Sequence, residues 1–490
     1  MSFVSIQFWA LLLPLCFLLY VLLGKTARGQ NLVLLAASAV FYGSYDVKYL
    51  LILALSITVT YLGGLIGARQ EDEVKAKIIY TLAFVLNLMI LVIFKYTGFL
   101  IGNLNSILGL FGVSIAMPDI LLPVGLAFYT FQSSTYLLDL KSGKCEVEKD
   151  IINYSLFVSF FPTVVSGPIL RAASFLPQIR ARREVSWERF QIFIFTFLWG
   201  TMLKMILSDR MSSFVTHVFA SYYNYGGFVM LIHMVSAMLQ LYVDFAGYSY
   251  MAIAVAALFG FDIPDNFRQP WFATSVAGMW RRWHISMTSW FTDYLYIPLG
   301  GSRKGKARKL LNTFIVFTVS GLWHGAAWTF AYWGFVAAAY MAVGQLTLPR
   351  RVKACEKLHI NRDTFGYISL QRFIVLLLMS ANVVPFYIGG IKPMLVYFYR
   401  MVTQWNPWVL FDGTFLTMGM TATDWTVVLI GGAIMLAVSA LREHGYSVQF
   451  ILKQNPVFRC ALVLLMFFAL IVFGVYGAQY SANAFVYAGF

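Results

Sequence analysis

Apolar residues dominate this chain in runs close to the roughly 20 residues that cross a hydrocarbon core, and polar residues fall in the short gaps between them. The runs predict helices near 3–23, 31–45, 48–67, 78–95, 121–138, 190–208, 227–243, 245–260, 310–322, 326–347, 373–390, 425–441 and 457–477. Some apolar stretches are broken instead. Phe160-Phe161-Pro162-Thr163 to Ser166-Gly167-Pro168 carries two prolines and a glycine. Proline removes a backbone donor, and broken backbone is not tolerated against lipid. This run therefore reads as a re-entrant or interfacial element buried in protein or lining a cavity. Pro123-Val124-Gly125 and Leu299-Gly300-Gly301 read similarly. The longest polar stretches, 171–189 and 349–372, are too short for a domain of their own, so residues 1–490 read as one integral membrane domain.

Composition narrows the class. The chain is 60% hydrophobic and 12% charged, with a mean hydropathy of +0.73. Those values exclude a soluble globular protein and describe an all-α polytopic membrane protein. The net charge of +15 does not imply nucleic acid, because the positive residues sit in short loops between apolar runs. The partner that placement fits is the lipid bilayer, through the positive-inside pattern. Cys16, Cys145, Cys355 and Cys460 are scattered without a close pair, which supports neither a disulfide framework nor a thiolate metal site. The N-terminal run lacks a basic n-region and a small-residue cleavage site, and reads as a retained first helix.

Charge also predicts topology. Lys25 and Arg28 place the end of the first helix on the cytoplasmic side, with the N-terminus outside. Loops with Arg180, Arg182, Arg183 and Arg189, with Arg303 to Lys309, and with Arg350, Arg351 and Lys353 are expected to be cytoplasmic. The last two bracket 310–349, so an even number of crossings lies between them and that segment is a hairpin turning near Ser320 to Gly325. Leu310 to Trp323 is 14 residues, about 21 Å of helix, less than the roughly 30 Å core. His324 is thereby expected within the membrane thickness.

That position makes His324 the leading candidate for chemistry. An imidazole titrates near neutral pH and can take and return a hydroxyl proton. An intramembrane ionisable residue is a functional candidate, although a buried core histidine satisfied by a neighbouring helix would look the same. His284 opens a short segment in which Trp283, Met287, Trp290 and Tyr294 share one helical face. Arg281, Arg282 and those aromatics also suit an interfacial belt. The basic run with Arg303, Lys304 and Lys306 could hold cofactor phosphates, or serve topology and anionic lipid. No P-loop or GxGxxG lies nearby. Asp244 sits between apolar helices and is expected to pair with an arginine or histidine. Asp293 could orient Arg281, Arg282 or a histidine, and Asp139 reads as interfacial.

The same residues carry a family resemblance. WRRWHISMTSWFTDYLYIPLGGSRKGKARKLLN followed by GLWHGAAWTF resembles the membrane-bound O-acyltransferase (MBOAT) family, most like the branch with the membrane subunit of bacterial alginate O-acetylation. NLMILVIFKYTGFL (87–100), LPVGLAFYTFQSSTYLLDL (122–140) and FFPTVVSGPILRAASFLPQI (160–179) agree in order, and NAFVYAGF at the C-terminus is a weaker echo. The resemblance covers roughly residues 30–345, with C-terminal helices in 373–490. It implies a ring of about 11–13 helices, re-entrant segments and a thinned centre with a tunnel. It makes His324 the catalytic histidine and His284 the second required polar residue. Residues 379–390, MSANVVPFYIGG, depart from the branch's FFRA-like continuation.

The resemblance further implies an O-acetyltransferase of a bacterial cytoplasmic membrane that binds no resident cofactor or metal and takes acetyl-CoA as its donor. His324 would deprotonate an acceptor hydroxyl, and His284, Trp283 or Trp323 would donate to the oxyanion. Arg303, Lys304 and Lys306 would hold the donor phosphates. Acetyl would leave on an extracytoplasmic polysaccharide or on a secreted acetyltransferase partner. A D-alanyl transferase fed by an acyl-carrier protein, a transporter of acylated saccharide, and a b-type haem protein using His284 and His324 are the alternatives.

Overall fold

The apolar runs become helices, and their starts are chemically marked. The computed structural model describes residues 1–476; the NAFVYAGF echo lies outside them. Among the described residues the secondary structure is helical, with one isolated bridge, Phe267 to Trp283. The helices are α1 Phe8–Leu23, α2 Ala27–Gly43, α3 Val47–Ala68, α4 Glu73–Phe111, α5 Leu126–Lys141, α6 Ile151–Ser159, α7 Ala172–Arg180, α8 Trp187–Ala220, α9 Gly227–Leu258, α10 Val276–Trp280, α11 Ile285–Phe291, α12 Gly305–His324, α13 Trp328–Lys357, α14 Phe365–Phe386, α15 Ile391–Thr403, α16 Ala422–Glu443, α17 Val448–Leu452 and α18 Pro456–Phe473. Thr26, Asp46, Asp72, Asp150, Thr364 and Asn455 cap helix starts by accepting first-turn N–H groups. Seven of the described helices (α3, α4, α8, α9, α14, α16 and α18) are long and apolar enough to cross a membrane. Leu429, Ile430, Leu464 and Leu465 on α16 and α18 are exposed, as lipid-facing side chains should be. The protein is an all-α, multi-pass membrane protein.

Two compact units divide the chain. The first holds Met1–Phe197 and Tyr248–Pro264. In it the proline-broken run 160–170 is buried throughout, as lipid-intolerant backbone requires. Its backbone is satisfied partly by turns within the run and partly by side chains of other segments. Phe161 N–H donates to Ser38 Oγ at 3.1 Å and Leu170 N–H to Gln132 Oε1 at 3.2 Å. Gly125, at φ 75°, lies against the Val164 carbonyl where a Cβ would collide. Arg183 does not project from its loop. It is buried, bonds Tyr20, Asn31 and the carbonyls of Gln178 and Ile179, and lies 4.4 Å over Phe261. Asp139, expected at an interface, is buried.

The second unit holds Leu198–Gly247 and the described residues from Asp265 onward. The two helices expected at 227–243 and 245–260 are one helix of 32 residues, α9. Asp244 was the apparent break, but no proline interrupts the run and its charge is met sideways. Lys204 of α8 reaches Asp244 at 2.7 Å, Ser208 donates to the same oxygen at 3.1 Å, and Asp209 takes Lys204 at 2.7 Å. The expected arginine or histidine partner of Asp244 is thus a lysine. Lys204 and Ser208 sit on a π-helical segment, Leu203–Ser208, which widens the helix where the ion pair forms. α15 was not expected, because its apolar residues are interleaved with Lys392, Pro393 and Arg400.

The expected hairpin is α12 with α13. α12 begins at Gly305, so Lys306, Arg308 and Lys309 lie in its first turns rather than in a loop. Cations there oppose the helix dipole, so they do not stabilise the helix end. α13 continues past Pro349, beyond the expected end near 347. Gly344 O, beside the hydrogen bond that proline deletes, accepts from Arg351 at 2.9 Å. The helices touch backbone to backbone: a Cβ on Gly321 would strike the Phe330 carbonyl, and one on Gly334 the Phe317 carbonyl. Gly334→Leu is expected to abolish monodisperse protein after detergent extraction, while Gly432→Leu on α16, whose Cβ site meets no atom within 4 Å, leaves it unchanged. Size-exclusion profiles and melting curves check the pair; a normal Gly334→Leu profile would refute the close contact.

Candidate active site

His324 is the last residue of α12, and His284 is the residue before α11. Both are buried, at 3% and 0% exposure. The fold brings them together, with ring centroids 6.3 Å apart. Trp323 lies 4.9 Å from His324 and 6.0 Å from His284. Trp333 of α13 meets His324 edge-on at 5.0 Å, Phe386 at 5.3 Å, and Phe245 of α9 meets His284 at 4.7 Å. Aromatic walls exclude water and strengthen electrostatic interactions inside.

The other expected site residues fall elsewhere. Trp283 packs with Phe267 at 5.2 Å, Tyr242 at 5.7 Å and Trp271 at 6.4 Å, a group that reaches His284 through Phe245, 5.3 Å from Phe267. Asp244 is held by Lys204. Its sequence neighbour Phe245 carries the contact to His284. Asp293 is half-buried on the π-turn Thr292–Tyr296 after α11. The carboxylate that grips Arg282 is Glu443, with bonds of 2.6 and 2.8 Å, and that hydrogen bonding raises the Arg282 pKa above its ordinary value. Arg303, Lys304 and Lys306 are exposed.

A cavity of about 1120 Å³ comes within one helical turn of each histidine, through Met287 and Ser320, without either imidazole being part of its lining. Trp280, Met287, Val316 and Phe317 form an apolar wall, with the Ser320 hydroxyl beside Met287. Ser320 is one helical turn before His324, and Met287 is one turn after His284. The charged residues of the lining are Arg281, Lys309, Arg351 and Arg362, with no carboxylate among them. Arg303, Lys304 and Lys306 are not part of the lining. The cavity therefore combines cations with a largely apolar wall that ends one helical turn from each imidazole.

Sequence reasoning missed Trp333, Phe386, Phe245, Asn382 and Asn266. Asn382, turned so that its amide is satisfied, accepts from Trp333 Nε1 at 3.1 Å and so fixes the tryptophan against His324. A tryptophan early in the second helix of the hairpin was an available signal for Trp333; nothing local pointed to Phe386.

Two buried histidines thus meet at the end of the α12–α13 hairpin of a multi-pass membrane protein, and the comparisons specify the class. A model of the MBOAT, membrane-bound O-acyltransferase family matches residues 147–386, including both histidines and the divergent stretch up to Phe386. The chain is 36% identical over 345 residues to "Probable alginate O-acetylase AlgI" of Azotobacter vinelandii, covering 70% of this chain and 68% of that protein. It is 30% identical over 360 residues to "Peptidoglycan O-acetyltransferase" of Helicobacter pylori, covering 68% of each. It is 26% identical over 234 residues to "Teichoic acid D-alanyltransferase" of Bacillus subtilis, 44% of this chain and 58% of that one. The chain belongs to the membrane-bound O-acyltransferase family and is an acyltransferase.

Proposed function

We propose that this acyltransferase is an O-acetyltransferase of a bacterial cytoplasmic membrane, taking acetyl from cytoplasmic acetyl-CoA and delivering it to an extracytoplasmic polysaccharide hydroxyl or to a partner that relays it. The observation that carries the reading is the 6.3 Å pairing of His284 with His324 beside a cavity whose lining holds four cations. Two of the relatives named above are, by name, O-acetylating proteins, one of alginate and one of peptidoglycan.

The donor's phosphates sit among Arg281, Lys309, Arg351 and Arg362, which line the cavity, in place of Arg303, Lys304 and Lys306, which do not. The pantetheine arm follows the wall of Phe317 and Met287 toward Ser320. The His324 imidazole takes the acceptor's hydroxyl proton as the oxygen attacks the thioester carbonyl carbon. The C–O bond forms, and charge develops on the carbonyl oxygen. N–H groups of His284 and Trp323 stabilise it. Collapse breaks the C–S bond, and the proton on His324 passes to the leaving thiolate. The products are an acetyl ester and free CoA. Because His324 supplies the proton transfer at both ends, no covalent acyl-enzyme is needed.

Donor choice is tested with purified protein and radiolabelled acetyl-CoA, scoring free CoA released. Replacing Lys309, Arg351 and Arg362 together by alanine is expected to raise the donor KM tenfold or more, since each charge-assisted contact contributes roughly 1.5–3 kcal/mol, and to change kcat little. Acyl transfer from a D-alanyl carrier protein without any CoA release would replace the donor assignment with the D-alanyl one. Substrate flux with neither product would indicate a transporter.

A further inference from the structure

His284 has a backbone conformation that few non-glycine residues adopt. Its φ of 44° and ψ of 52° are left-handed, a region that holds only a few per cent of non-glycine residues, histidine being among the types enriched there. Residues held in such conformations are over-determined by their surroundings and cluster at functional sites. Here the surroundings can be named. Residues 266–268 run antiparallel to 282–285: Arg268 N–H donates to Arg282 O at 2.9 Å and Ile285 N–H to Asn266 O at 3.0 Å, around the Phe267–Trp283 bridge. The Asn266 side chain closes the downstream side. Its Oδ1 accepts the Ser286 N–H at 3.3 Å and the Ser286 hydroxyl at 2.9 Å. Asn266 and Ser286 are both buried. On the upstream side Glu443 grips Arg282.

We propose that Asn266 is the positioning residue of the site: by holding Ile285 and Ser286 on one side of the left-handed turn, while Glu443 holds Arg282 on the other, it aims the His284 imidazole at His324. The inference rests on His284 being a functional group of the acetyl-transfer site. An ordinary helix N-cap has extended backbone, and that backbone would send the His284 Cα–Cβ bond in another direction. A displacement near 1 Å at a reacting centre lowers rates about 100-fold. Asn266 touches no reacting atom in this scheme; its effect passes through one residue.

The experiment is a double-mutant cycle on purified, folded full-length protein, with kcat and donor KM read by CoA release. Asn266→Ala is expected to lower kcat about 10- to 100-fold with donor KM unchanged. Asn266→Asp keeps an oxygen acceptor for Ser286 and is expected to recover most of that loss. Asn266→Ala on a His284→Ala background is expected to add nothing, because the group being aimed is already gone. If Asn266→Ala does not fold, Ser286→Ala removes the hydroxyl bond alone and is expected to lower kcat severalfold. Wild-type kcat in whichever of these two variants folds, with His284→Ala inactive, overturns the positioning role and leaves the reading of His284 standing. A further loss on the His284→Ala background also overturns it, since Asn266 would then act independently. Full activity of His284→Ala itself overturns the reading of His284 and the positioning role with it.

Discussion

Replacing His324 by alanine is expected to lower acetyl transfer about 10²- to 10⁴-fold, with donor KM within a few-fold of wild type. The size follows from the task. The hydroxyl is a poor nucleophile until its proton is removed, and among the side chains whose ring contacts enclose the pair, only His324 and His284 can accept a proton. The KM expectation follows from the cavity, whose cations and apolar wall are residues other than His324. His324 is 3% exposed and walled by Trp323, Trp333 and Phe386, so alanine leaves a void that the aromatics partly fill. A melting curve separates that packing cost from lost chemistry. CoA release at the wild-type rate from folded His324→Ala protein would remove the base assignment. A kcat loss confined to His284→Ala would exchange the two roles.

The largest stability effect is expected at Lys204. Its ammonium, 1% exposed, stands between Asp244 and Asp209 at 2.7 Å from each. Lys204→Met keeps the length and apolar stem of the side chain but leaves two carboxylates with no ammonium between them. Removing one partner of a buried ion pair costs about 3–5 kcal/mol. The expected result is a sharply lowered melting midpoint and poor recovery from detergent. Adding Asp244→Asn should restore much of the loss, because a neutral amide is far cheaper to bury than an unmatched carboxylate. Activity should follow stability in this series, since Phe245, next to Asp244, packs on His284. An unchanged midpoint for Lys204→Met would show that the three charges are not coupled as the distances indicate.

The apolar runs located most of the described helices, and the proline-broken run at 160–168 was legible as buried backbone. The α12–α13 hairpin followed from two basic clusters and the parity of crossings between them. His324 was legible for the same reason: it sits at the turn of that hairpin within a motif. Helix ends at polar residues were less legible. Asp244 looked like a break between helices, and Asp209 and Arg210 looked like the end of one, because a charge inside an apolar run reads as a boundary until its partner on another helix is known. The basic run Arg303, Lys304 and Lys306 was conspicuous in sequence but does not line the cavity, whereas Arg351 and Arg362, far from the motif, do.

The amino-acid sequence alone determined the class of the protein, the rough position of most of its apolar helices and the family motif. These depend on local quantities: the hydropathy of consecutive residues, the breaks that proline imposes, and the bias of positive charge between runs. Tertiary structure decided which side chains meet. It brought Phe386 onto His324 across 62 residues of chain (386 − 324), assigned Lys204 to Asp244, packed Trp283 on Phe267, and placed His284 in a left-handed turn beside Asn266. Those outcomes depend on how helices are rotated and how closely they approach, as Gly321 and Gly334 permit for α12 and α13. Many rotations bury the same apolar area, so the pattern of hydrophobic positions cannot choose among them; close packing and the matching of buried polar groups can.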